Sequence, residues 1–175
     1  TTAAATPTVS GLQGTDTVTG LVEAYTDPNA GTGKTLQVTA YAVNDGNGGA
    51  NYAVSLVEDT TGVIEKATAT IVVTPYDVIY DAAAHTAAGT ATGVKGESLA
   101  GLDLSGTTRV HAGTTVDPWT FSDVTGNYHN ASGTVLDRIA QAALTITATT
   151  NSKVYDATTT AAATPTVSGL QGTDT

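Results

Sequence analysis

At 175 residues, with 16 acidic against six basic side chains and a net charge of −10, the chain repels nucleic acid and anionic membrane surfaces. It contains no cysteine, which removes disulfides, thiolate catalysis and cysteine metal sites together. Hydrophobic residues make up 40% and charged residues 13%, so the composition is that of a folded protein of small side chains, and no run approaches the roughly 18 apolar residues of a membrane span.

Taken in chain order, strand signals dominate. Short runs of Thr, Val, Ile and Tyr, bounded by Gly, Asn, Asp and Pro, predict strands over 18–25, 36–43, 52–57, 67–74, 77–80, 107–111, 119–122, 133–139 and 142–149. Turn clusters separate them: DPNAGTG from Asp27, NDGNGG from Asn44, VKGES from Val94 and DVTGN from Asp123. In the last strand Leu144, Ile146 and Ala148 are expected to face inward, with Thr145, Thr147 and Thr149 toward water. Helix is almost absent. The expected fold class is all-β, built as tandem immunoglobulin-like β-sandwich modules in an extended array.

The array expectation rests on repetition. TTAAATPTVSGLQGTDT, which opens at Thr1, returns letter for letter from Thr159, a period of 158 residues. A second, diverged periodicity lies inside the first. Tyr80-Asp81-Ala82 matches Tyr155-Asp156-Ala157, Asn51-Tyr52 matches Asn127-Tyr128, and Ala30-Gly31-Thr32 matches Ala112-Gly113-Thr114, all at close to half the period. Two modules per period follow. The expected boundaries are 1–66, a module without its opening strands; 67–141, a complete module; and 142–175, the opening strands of the next copy. On this reading the chain is an internal window on a longer polypeptide, which also fits the lack of Met and of a signal peptide.

Residues 74–139, from TPYDVIYDAAAHTA to TVLDRI, resemble the bacterial immunoglobulin-like repeats called MBG domains. ALTITATTNSKVYDATTTAAATPTVSGLQGTDT, continued by VTGLVEAYTDPNAGTGKTLQVTAYAVNDGNGGANYAVSLVEDTTGVI, is similar to the related YDG domain. The resemblance implies a stalk or fibre module of a very long secreted or surface-anchored bacterial protein of the haemagglutinin-like adhesin kind. The Tyr-Asp-Gly signature stands here with Ala82 and Ala157 in the Gly place. Alanine disfavours positive φ, so an ordinary turn is expected at both.

The residues offer little catalytic chemistry. His85, His111 and His129 fall at unrelated spacings, and no nucleophile elbow, P-loop, dinucleotide fingerprint or partnered carboxylate pair is present, so the chain reads as a non-enzyme. Calcium is the one cofactor with candidate ligands, Asp45 and Asn47 in one loop and Asp123 and Asn127 in another, with Glu58, Asp59, Glu65 and Asp137 as a junction alternative. An EF-hand is excluded, because Gly49 stands where the next oxygen ligand belongs and Leu56 where the bidentate Glu belongs. The same Asn, Asp and Gly residues are what tight β turns require. Tyr80, Asp81, Tyr155 and Asp156 read as architectural, the ring packed at a sheet edge and the carboxylate accepting turn N–H groups. Trp119 shares a face with Phe121 and reads as a core anchor.

The functional expectation is a structural repeat unit of an extracellular or bacterial cell-surface fibre or adhesin stalk. The alternative is a carbohydrate- or surface-binding module of an adhesin, which exposed aromatics beside a groove would favour. Expected partners are neighbouring copies of the repeat, in the same chain or by strand donation, with no nucleic acid and no membrane insertion.

Overall fold

The computed structural model describes residues 5–175. The chain is almost wholly β with several sheets; among the described residues the only helical element is a single 3-10 turn. No helix among them is long and apolar enough to cross a membrane. The chain divides into two compact units, one taking in the chain up to Thr68 together with Asp123–His129, the other Ala69–Ser122 with Asn130–Thr175.

The first unit holds strands β1 (Thr17–Tyr25), β2 (Gly31–Asn44) and β3 (Asp59–Ile64) in one antiparallel sheet ordered β1-β2-β3. Thr17 lies opposite Asn44 and Tyr25 opposite Leu36, with register shifts beside Gly20 and Gly33. The β1–β2 turn is built by Asp27, whose Oδ1 accepts the N–H of Asn29 at 3.0 Å while its Oδ2 receives Lys34 Nζ. The Lys34 bond, followed by the Asn29 N–H, lowers the Asp27 pKa. Residues 52–57, expected to be a strand, enter no ladder. They run extended from the Asp45 turn toward β3 with Val54, Leu56 and Val57 exposed, because no described strand lies alongside to accept their backbone bonds.

The second unit holds β4 (Thr70–Thr74), β5 (Asp77–Ile79), β6 (Ala88–Thr92), β7 (Leu102–Asp103), a 3-10 turn at Ser105–Thr107, β8 (Gly113–Phe121), β9 (Ala131–Ala140), β10 (Thr145–Thr147) and β11 (Thr166–Ser168). β4 pairs antiparallel with β6, and a four-stranded sheet runs in the order β5-β9-β8-β7. Between β4 and β5 the chain leaves one sheet for the other at Pro75-Tyr76. Proline has no N–H to continue the first ladder, and β5 then lies parallel to β9. β10 and β11 form a separate antiparallel pair. Residues 107–111, read as a strand, instead begin in the 3-10 turn and contribute one bridge, Arg109 to His85.

The buried core belongs to the second unit, apart from Tyr128 on the 123–129 segment. Ala87, Ala91, Phe121, Val135 and Ile139 form its apolar part. Alternation on β9 turns Val135, Asp137 and Ile139 inward and leaves Leu136 59% exposed. By contrast, none of residues 5–68 is buried. The inward orientation expected for Leu144 and Ile146 is also not realised: both are more than half exposed, because nothing in their unit covers that face.

Candidate functional site

The calcium candidates are turn builders. Asp45 Oδ1 accepts the N–H groups of Asn47 and Gly49, each at 2.8 Å, and its Oδ2 accepts that of Asn51 at 3.0 Å. These donors, Gly49 foremost, hold its carboxyl below the usual carboxylate range. Asn47 Nδ2 donates to Asn51 Oδ1 at 3.0 Å. Asp123 is arranged alike: Oδ1 accepts the Thr125 N–H at 3.0 Å and hydroxyl at 2.8 Å, and Oδ2 accepts the Tyr128 N–H at 2.9 Å. Desolvation pushes the Asp123 pKa up, but the bonds from Tyr128 and Thr125 outweigh it and bring it down to about 2. Asn127 accepts the Ala30 N–H on Oδ1 at 2.7 Å and donates to Asn29 Oδ1 at 3.0 Å, tying its loop to the β1–β2 turn. Asp59 caps a turn at Thr61, and Asp137 lies inside the second unit. Among the described residues no three His, Asp or Glu side chains gather around a common point. Asp45 and Asp123 each already accept three hydrogen bonds from their own turns.

The two Tyr-Asp-Ala motifs share one backbone geometry, and it is not the ordinary turn expected. Ala82 has φ +64° and Ala157 φ +58°, and among the described residues no other non-glycine residue is in this region. The left-handed conformation persists without glycine because the preceding aspartate bridges the turn: Asp81 Oδ1 accepts the Ala83 N–H at 2.9 Å, and Asp156 Oδ1 accepts the Thr158 N–H at 3.0 Å. Asp81 also meets His85 Nε2 at 2.9 Å, and Asp156 meets Lys153 Nζ at 2.9 Å. The Ala83 N–H for Asp81, and the Lys153 contact for Asp156, are the leading causes of lowered carboxyl pKa values. Their tyrosines differ. Tyr80 is half-buried and donates to Asp174 Oδ2 at 3.1 Å, whereas Tyr155 is 90% exposed.

Trp119 stands half-buried on β8 beside fully buried Phe121, opposite Gly133 on β9. A Cβ at Gly133 would fall 2.4 Å from the indole, so the ring lies over bare backbone that only glycine leaves open.

A polar cluster inside the second unit carries no sequence motif. Asp117 is fully buried, held by Arg109 and by the Thr115 hydroxyl at 2.7 Å. Asp137 accepts the Tyr76 N–H at 3.1 Å on Oδ1, while its Oδ2 is buried with no partner. Tyr76 donates its hydroxyl to the Thr107 carbonyl at 3.2 Å, and its pKa is raised by burial and then by the nearby Asp137 and Asp117 charges. The available signal was an aspartate in phase with Val135 and Ile139, but Leu136 made the opposite phase equally readable.

A recess lies within the first unit. It is a groove of about 810 Å³ whose apolar lining includes Leu21, Leu36 and Val38 of the β1–β2 hairpin, Val9, Tyr41 and Val54. Tyr52 lines it too, donating to Asp16 Oδ2 at 2.6 Å and accepting the Gln13 N–H at 2.8 Å. Donation to the Asp16 carboxylate raises the Tyr52 pKa. Hydroxyl groups and the carboxylates of Glu23, Glu58 and Asp59 line the groove beside these apolar side chains, and no histidine, lysine or arginine is among its lining residues to serve a nucleophile. No family model, no curated protein and no solved structure matches the chain.

Proposed function

We propose that the chain is a structural repeat unit of a long bacterial extracellular fibre or adhesin stalk, made of immunoglobulin-like β-sandwich modules of the MBG and YDG kind. The observation that supports this reading is a match of local turns, though not of strand pairing, between the two copies of the identical segment. The segment present twice takes the same turns in both places: Gly11 and Gly169 at φ +90° and +98°, Gly14 and Gly172 both at +54°, and the Asp16 N–H to Gln13 carbonyl bond at 3.1 Å beside the Asp174 N–H to Gln171 carbonyl bond at 3.0 Å.

The half-period repeat behaves in the same way. β4 and β6 flank Tyr80-Asp81-Ala82 and pair antiparallel, and β10 and β11 flank Tyr155-Asp156-Ala157 and pair antiparallel. In the second unit, a first strand divided between two sheets, with its later part parallel to the last strand of the other sheet, supports the immunoglobulin-like assignment. The function is then mechanical, with reach gained by copying one unit and no catalytic role. Each strand of about eight residues spans roughly 26 Å, so one period should advance the fibre by about 60 to 90 Å. Electron micrographs of the multi-repeat parent test this: a thin fibre with that axial repeat is expected, and a compact particle would overturn it. The alternative, a glycan- or surface-binding module, draws on Tyr41, 42% exposed at the groove, and predicts saturable glycan binding lost in Tyr41→Ala.

A further inference from the structure

The groove of the first unit and the β10–β11 pair of the second share a sequence. Thr166-Val167-Ser168, the strand β11, is identical to Thr8-Val9-Ser10. In the second unit this tripeptide pairs antiparallel with β10, Thr145 opposite Ser168, Ile146 opposite Val167 and Thr147 opposite Thr166. In the first unit the identical tripeptide enters no ladder among the described residues and instead lines the groove. We infer that the groove is the seat of residues 142–158 of a second copy of this sequence, joined ahead of Thr1, with Thr145, Ile146 and Thr147 of that copy opposite Ser10, Val9 and Thr8. The inference rests on the repeat reading above and names the partner of the site described there.

Local geometry supports this occupant. A Cβ built on Gly169 would come within 2.2 Å of the Ala143 carbonyl oxygen, because the backbone just ahead of β10 passes there. The same atom on Gly11 would meet nothing within 4 Å. The two glycines have the same conformation, so Gly11 already presents the surface that Ala143 and Leu144 use at Gly169. The Thr149 hydroxyl donates to the Thr164 carbonyl at 2.8 Å, and its counterpart acceptor in the first unit is Thr6, which also lines the groove. Apolar surface is complementary as well. Leu144 and Ile146 on the donor side are 53% and 66% exposed, and the groove offers Leu21, Leu36, Val38 and Val54. An extended segment added to an open strand edge gains backbone bonds from the ladder and burial from alternate side chains.

The test compares the 175-residue chain with the same chain carrying an additional copy of residues 142–158 directly before Thr1. Amide hydrogen exchange is read at Thr8, Val9 and Ser10. With the added segment those of the three amides that bond across the pair should slow at least tenfold, to the rates of their counterparts among Thr166, Val167 and Ser168. Replacing the added copy's Ile146 by Asp, or Val9 by Asp, should return exchange to the rate in the 175-residue chain. Val9→Asp should lower the melting temperature of the 175-residue chain less than that of the extended chain, which separates lost pairing from lost folding. Exchange at Thr8–Ser10 that does not change with the added segment overturns the inference. Unchanged exchange in a parent that forms regular fibres would overturn this pairing alone. Slowed exchange in a compact parent would overturn the stalk reading and leave the pairing.

Discussion

Ala82 and Ala157 occupy a backbone region that costs an L-residue about 1–2 kcal/mol, and both are held there by an aspartate one position earlier. Glycine at position 82 removes that cost, offset in part by the greater freedom of glycine in the unfolded chain. Ala82→Gly should therefore raise stability by up to about 1 kcal/mol, whereas Ala82→Val, β-branched at positive φ, should lower it by at least about 1 kcal/mol. Thermal melts of the two variants against the parent read both signs. Asp123 makes a second residue-scale case. Its folded pKa of about 2 lies below the roughly 3.9 of an unfolded aspartate, so its contribution is fully present above about pH 4 and is lost as pH falls through about 2. Urea unfolding of Asp123→Ala and the parent should differ most above pH 4, and the difference should shrink toward pH 2. A difference that grows on acidification would reverse the assignment.

At the scale of elements, the β8–β9 pair depends on one exchange of volume between strands. Trp119 lies where Gly133 has no side chain, so Gly133→Ala forces the indole aside and should cost about 1–3 kcal/mol. Because the chain has one tryptophan, the displacement reads directly as a shift of fluorescence emission in the folded state. The strands also show where pattern reading works and where it stops. Residues 18–25, 77–80 and 133–139 were legible as strands because β-branched and aromatic residues concentrate there between turn residues. β6, Ala-Gly-Thr-Ala-Thr, was not: its place beside β4 depends on a close approach that small residues permit, with a Cβ at Gly89 falling 2.9 Å from the Val72 carbonyl oxygen. Residues 52–57 have the composition of a strand but no ladder partner, and strand identity is a property of pairs.

For the whole molecule, Asp45, Asn47, Asp123 and Asn127 are committed to turn and loop bonds within the folded chain. Excess chelator is accordingly expected to leave the melting temperature unchanged, and a fall of several degrees would return calcium to the account through its linkage to the folded state. Residue order was sufficient for the all-β class, for most strand positions and for the existence of a repeat, because these follow from local propensity, side-chain alternation and letter identity. It was also sufficient to single out the Asn and Asp turn clusters. It did not decide which phase of β9 faces inward, since Leu136 and Asp137 each fit one phase; pairing with β8 buries Asp137 beside the Arg109–Asp117 pair and turns Leu136 outward. Nor did it show that both Tyr-Asp-Ala alanines would be left-handed, because that conformation depends on the bridging carboxylates. Most of all, only the tertiary structure showed one copy of Thr-Val-Ser paired and the other lining an open groove. The letters are identical, and the difference lies in which strand is within reach.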